Sequence, residues 1–196
     1  MTLSRVLLSH EGPEVSRVAK GWASVVRRNL SVAELTAHIH AGLALGITTH
    51  DNAAIYGGGQ AETMLGAALA AEPGLREQVE IVTKCSVGSW GSSLYHYDTS
   101  RAHILSSVEH SLRELQTDRI DLLLIHRPDP LMDADEVASA FVSLREAGKV
   151  LHVGVSNYGH HRSRYGAPGS GERQTPPPPA SNHAPPATPA VARAPR

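Results

Sequence analysis

Four polar side chains stand at or just beyond the ends of apolar runs, and their types are those needed to hand a proton to a carbonyl oxygen. Asp51 follows the β-branched run 47–49, Tyr56 comes five positions later ahead of Gly57, Gly58 and Gly59, Lys84 ends the run 79–84, and His126 ends the run 120–126. A phenol is a reluctant acid at neutral pH, but a nearby ammonium stabilises its anion and eases loss of the proton. Lys84 is the available ammonium. A lysine at the end of a buried strand needs compensation, which Asp51 on a neighbouring strand can give through a charge-assisted hydrogen bond. His126 can donate from a ring nitrogen to an oxygen that gains negative charge. Taken singly, each residue has a plainer duty: an ion pair at a sheet end, a loop anchor, and one satisfied histidine among 12. It is the combination that points to chemistry.

These side chains meet only if their strands lie parallel with their C-terminal ends on one edge. The strands 79–84, 120–126 and 151–157 read as nearly continuous apolar runs, the mark of a parallel sheet covered on both faces. Between them lie helical patterns. Ser31 with Glu34 forms a capping box ahead of Leu35, Ile39 and Leu43, which Gly46 can close; Met64, Leu65, Ala68 and Leu69 make a second stripe that stops near Pro73. Ile104, Val108, Leu112 and Leu115 make a third, and Asp133 with Glu136 opens a fourth that carries Val137, Phe141 and Leu144 up to Gly148. Upstream, the β-prone runs 5–9 and 15–20 flank Gly12-Pro13 and read as a hairpin, after which come Gly21 and Trp22. The segment 86–100 is rich in Gly, Ser and Tyr without periodicity, a loop able to reach over the strand ends.

Alternating strands and helices fit either a doubly wound nucleotide fold or a (β/α) barrel. No Gly-x-Gly-x-x-Gly follows the first strand and no Walker lysine is present, whereas several successive strands end on polar side chains, which suits a ring. The run of glycines after Tyr56 lets the backbone bend and approach a ligand closely.

At 196 residues, 41% hydrophobic and with a net charge of -1, the chain has the bulk of one globular domain and no electrostatic footprint for nucleic acid or an anionic membrane. The lone Cys85 excludes an internal disulfide and, beside Lys84, points to the other strand face and into packing. The apolar stretch 6–8 is too short for a signal core or a membrane span, so a cytoplasmic location is the default. The pairs His38/His40 and His160/His161 lack companion ligands, so no metal site is expected. From residue 160 onward there is no Leu, Ile, Met, Phe or Trp while proline accumulates, so 159–196 reads as a disordered tail.

The spacing Asp51-x-x-x-x-Tyr56-Gly57, the strand-end Lys84, the stretch from Asp121 to His126, and Gly148-Lys149-Val150 followed by Gly154-Val155-Ser156-Asn157 resemble the aldo-keto reductases, particularly bacterial oxidoreductases of that family. The resemblance covers about residues 1–158 and implies a TIM barrel entered by an N-terminal hairpin. It implies NADPH as hydride donor, a small-molecule carbonyl substrate, Tyr56 as general acid tuned by Lys84 and Asp51, and His126 orienting the substrate. Ser156 and Asn157 match positions that hold the nicotinamide carboxamide. Gly21 and Trp22 match the cofactor-side and pocket-side positions after the first barrel strand, with Asp51 beside the cofactor.

Past residue 158 the family continues with a fifth helix and three further β/α units, where this chain has its proline-rich stretch, as a shifted reading frame would produce. The expected fold is therefore an incomplete (β/α)8 barrel of about five units, residues 1–158, followed by the tail 159–196. A barrel of this kind takes about 250 residues, about 200 at the low end, so five strands leave open edges and an interior face that meets water. The expected function is NADPH-dependent reduction of aldehydes or ketones. The alternatives are an inactive fragment lacking most of the cofactor cradle, a module completed by a second chain, and, last, a cofactor-binding regulatory subunit. The sequence carries no signal of a particular substrate or oligomeric state.

Overall fold

The structure is a computed structural model, described here for residues 3–10, 12–88 and 95–158. Nine strands and four α-helices alternate along them. The strands β1 (Arg5–Leu7) and β2 (Glu14–Ser16) pair antiparallel as the expected hairpin. The strands β3 (Lys20–Gly21), β4 (Thr49–Asp51), β5 (Glu80–Cys85), β8 (Ile120–Ile125) and β9 (Val150–Val155) form one parallel sheet in the order in which they are named. A doubly wound sheet reverses its strand order at a switch point. This one never does, so the winding is that of a barrel.

The helices α1 (Val32–Ala44), α2 (Gln60–Ala71), α3 (Arg101–Glu114) and α4 (Ala134–Glu146) connect successive parallel strands, and each packs against the next. Their starts follow the cap chemistry. Ser31 Oγ accepts from the Glu34 amide at 3.3 Å while the Glu34 carboxylate accepts from the Ser31 amide at 2.8 Å, and Asp133 Oδ1 accepts from the amides of Asp135 and Glu136. Gly46 and Gly148, with φ of 81° and 69°, take the left-handed turns that end α1 and α4. The apolar stripes named from spacing are buried where they face the sheet: Leu35, Ile39, Leu65, Ile104, Val108, Val137, Phe141 and Leu144 share one core with Ile81, Cys85, Leu123 and Ile125. Burying such an aliphatic side chain contributes about 1.5–3 kcal/mol. Gly66 marks a close approach between helices. A Cβ there would lie 2.1 Å from the Glu114 carbonyl oxygen, so α2 meets the end of α3 only without a side chain.

Alternation along the strands divides the sheet into two faces. Ile81, Thr83 and Cys85 of β5 face the helices; Val82 and Lys84 face the opposite way, in register with Leu122 and Leu124 of β8. That second face is less bare than five unclosed strands imply. Val82, Lys84 and Leu122 are buried, and a cleft between the hairpin residues Leu8, Ser9 and Pro13 and the strand residues Leu122, Leu124 and His152 shows the hairpin reaching under it. Among the described residues the outer strand β9 is the more open part of the sheet on its helix side too, where Leu151 is 41% exposed.

Two expectations are corrected. The β-prone run 15–20 is not one hairpin strand: β2 ends at Ser16, and Lys20–Gly21 already belongs to the parallel sheet, paired with His50 and Asp51. The segment 86–100 is not wholly irregular, since β6 (Val87–Gly88) and β7 (His96–Tyr97) pair antiparallel. The stretch 159–196, expected as a tail, lies outside the described residues.

Candidate active site

The C-terminal ends of β4, β5 and β8 bring the four side chains to one rim. Lys84, 6% exposed, donates from Nζ to Asp51 Oδ1 at 2.6 Å and to the Asn52 carbonyl at 2.7 Å. Its third contact is the Tyr56 hydroxyl, 3.3 Å away, with Nζ 5.0 Å from the centre of the Tyr56 ring. The ammonium is thus fixed by one carboxylate and one carbonyl and aimed at a phenol. Asp51 is the more open partner, its side chain 37% exposed.

Tyr56 owes its place to the turn around it. Its amide donates to the Ala53 carbonyl, and Gly57, Gly58 and Gly59 follow with φ of 61°, 67° and 96°. The bend anticipated from three glycines is there, but the close approach at Gly57 is internal. A Cβ on Gly57 would come within 2.6 Å of Val26 Cγ2, so this glycine seats the turn on the short helix Val25–Arg28.

His126 completes the group. Its ring meets the Tyr56 ring edge to face, centres 5.8 Å apart and planes at 80°, and its amide donates to the Cys85 carbonyl and to Ser86 Oγ. Burial, reinforced by the positive charges of Lys84 and Arg127, pushes its pKa down to about 4, so the ring is neutral at pH 7. Its Nδ1 is buried with no hydrogen-bond partner.

The remaining residues divide. Ser156 and Asn157 lie just past β9, where Asn157, at φ 65°, donates from Nδ2 to the His126 carbonyl and to Ser156 Oγ, both at 2.9 Å. Gly21 pairs in register with Asp51 and has open space where a side chain would be. Trp22 is not brought to the rim. Strand alternation sends its ring to the helix side, where it is 1% exposed and its Nε1 donates to His50 Nδ1 at 3.0 Å; only its backbone, bonded to the Asp51 carbonyl, stays near the site. Cys85 is packed in the core as expected, its thiol pushed up to about 12 by burial.

The sequence reading missed Asn52. Its carbonyl holds Lys84, while its fully buried side chain donates to the Ala61 carbonyl and accepts from the Ala53 amide. An Asn directly after a strand-end Asp is the signal that was available, because Asn side chains organise the backbone of tight turns. Among the described residues no group of three or more His, Cys, Asp or Glu could hold a metal, and no helix is long and apolar enough to cross a membrane.

A model of the Aldo/keto reductase family matches residues 17–183. The oxidoreductase YdhF of Escherichia coli is 49% identical over 159 residues, covering 80% of this chain and 53% of the relative. A 6-dehydroglucose reductase of Agrobacterium fabrum is 50% identical over 162 residues, covering 80% and 54%. Among solved structures, the aldo-keto reductase AKR11C1 from Bacillus halodurans, in its holo form, superposes with a TM-score of 0.69 at 30% identity, over 79% of this chain and 50% of that one. The chain spans about half the length of these relatives. With a sequentially wound parallel sheet, four polar groups gathered on its C-terminal rim and a family match over most of its length, the chain belongs to the aldo/keto reductase family.

Proposed function

We propose that the rim delivers a proton to the carbonyl oxygen of a small aldehyde or ketone, in an NADPH-dependent reduction to the alcohol. The observation that carries this reading is the position of Lys84 Nζ, held by Asp51 and the Asn52 carbonyl and 3.3 Å from the Tyr56 hydroxyl. As the Tyr56 proton moves to the substrate oxygen, the negative charge left on the phenol develops beside a fixed ammonium. Asp51 pairs with the buried lysine and holds it in place. The neutral His126 ring has one N–H to give. Its buried Nδ1 faces no acceptor, so Nε2 is the nitrogen to carry the proton and donate it to the carbonyl oxygen that Tyr56 protonates.

The reduced nicotinamide, when bound, supplies the hydride to the carbonyl carbon. The donor set at the end of β9 fits its carboxamide. Both hydrogen bonds of Asn157 use the amide nitrogen, which leaves the side-chain oxygen of this exposed residue to accept from an NH2 group, and the Ser156 hydroxyl can donate to the carboxamide oxygen. Gly21, open and level with Asp51, leaves room for a ring against the backbone. Trp22 contributes no side chain to this binding.

A second reading has its own observation. The chain spans about half of its relatives, and among the described residues β9 is the outer strand of the sheet, which supports the reading of an inactive fragment or of a module that works with a second chain. Titrating NADPH and following its fluorescence decides between them. Saturable binding at micromolar concentration with turnover of small aldehydes supports the reductase; no saturation up to millimolar cofactor supports the fragment.

A further inference from the structure

One fully buried carboxylate takes no part in the proton transfer described above. Glu62 lies in the first turn of α2, six residues after Tyr56, and is 0% exposed. Its Oε1 accepts from Thr83 Oγ1 at 2.6 Å and its Oε2 from Ser111 Oγ at 3.1 Å. Burial raises its pKa, since these two hydroxyls do not fully offset the lost hydration. A group kept at such a cost with both oxygens satisfied is more than filler in the core. What distinguishes it is the identity of its neighbours. Thr83 immediately precedes Lys84 on β5, and alternation turns the two side chains to opposite faces of the strand. The bond from Thr83 to Glu62 therefore closes a circuit: Tyr56, its glycine turn, the start of α2, Glu62, Thr83, Lys84, and back to Tyr56 through the 3.3 Å contact. The glycine turn is the soft part of this circuit, with three successive positive φ angles, and the carboxylate pins its far end.

We propose that Glu62 is a positioning residue for the Tyr56–Lys84 pair, tying the start of α2 to β5 through Thr83 and so setting how the phenol meets the ammonium. This rests on the role proposed for that pair in carbonyl reduction. The Ser111 bond reaches α3 instead and lies outside the circuit, which supplies an internal control.

The test compares Glu62→Ala and Thr83→Val, which cut the circuit, with Ser111→Ala, which removes a hydroxyl from the same carboxylate without cutting it. Two quantities are read on the whole chain: kcat and KM for aldehyde reduction with NADPH, and the Tyr56 ring 13C resonance, assigned by its loss in Tyr56→Phe and moved by Lys84→Met. A misplacement of this kind lowers kcat by about tenfold in Thr83→Val and Glu62→Ala, with KM for NADPH within about twofold of the parent. In the same variants the Tyr56 resonance shifts in the direction that Lys84→Met produces. Glu62→Gln, which keeps an acceptor for Thr83, recovers to within about threefold. Ser111→Ala loses stability without either change. If Thr83→Val and Ser111→Ala have equal effects on kcat and on the resonance, or if neither variant moves the resonance, the proposal is overturned, and Thr83→Val alone suffices where Glu62→Ala does not fold. A parent chain without turnover whose Tyr56 resonance still follows the circuit removes the reductase reading and leaves Glu62 as the strut of the pair.

Discussion

Two buried histidines, one on each side of the sheet end, show what separates the helix layer from the rim. His50, 1% exposed, and His126, 9% exposed, are each driven down to about pKa 4 chiefly by burial, and each has one buried ring nitrogen without a partner. Their neighbours differ. His50 is on the helix side, where Nδ1 accepts from the Trp22 indole and ties β3 to β4. His126 sits on the rim with its ring against Tyr56 and a lysine nearby, bonded through its backbone but not through its buried ring nitrogen. The same desolvation thus yields a strut in one place and, in the other, the ring to which we assign the donor role. Burial and a lowered pKa do not by themselves mark a working histidine; the neighbouring groups do.

The comparison breaks first at Lys84. Lys84→Met leaves the phenol without its ammonium, and kcat for aldehyde reduction is expected to fall by about 100-fold or more. The Asp51 carboxylate it abandons is open enough to be solvated, so the folded fraction on denaturant titration stays close to that of the parent. A rim that kept its rate without Lys84 would be no different in kind from the helix layer.

Next in size is the response to acid. Both rings are neutral when folded, with pKa about 4 against an ordinary value near 6.5. The unfolded chain therefore takes up protons first, so the stability these rings contribute is fully present above about pH 6.5 and is lost as pH falls from there toward 4. For His50 the loss is on the order of 3 kcal/mol. Glu62 works in the opposite sense, because a carboxyl raised by burial favours the folded state as pH falls. Denaturant titrations between pH 7 and 4 on the parent and on His50→Gln isolate the histidine share, and the variant is expected to show the shallower fall.

Trp22→Phe keeps the ring in the core and deletes the donor to His50, leaving both nitrogens of that ring unpaired. A cost of about 1–3 kcal/mol is expected in thermal or denaturant unfolding, with turnover per folded molecule unchanged. The smallest effect belongs to Asn157→Ala. Loss of one carboxamide contact is expected to weaken NADPH binding by about tenfold in a fluorescence titration, with little change in stability.

The elements were legible where one chemical signal dominated. The capping box at Ser31, the Asp133 cap and the helix-terminating glycines stand where spacing put them, and the alternation that sent Cys85 into the core is seen in β5. The same alternation, applied two strands earlier, would have turned the Trp22 ring away from the rim once Gly21 faced it. It was not available, because the uninterrupted β-prone run 15–20 hides the break between β2 and the two-residue β3. The gathering of Asp51, Tyr56, Lys84 and His126 could be anticipated from strand ends alone. The Asn52 carbonyl and the Glu62 carboxylate could not, since a backbone acceptor has no residue signature and a buried glutamate on a helix looks like any other until its partners across two elements are known.

The most direct measurement is the rate of NADPH-dependent reduction of a small aldehyde by the parent chain and by Tyr56→Phe, each at saturating cofactor. Turnover by the parent that falls by about 100-fold or more in the variant, with NADPH affinity retained, is the predicted result. Equal rates in the two proteins would contradict it, for the hydroxyl beside Lys84 would then have given nothing to the reaction.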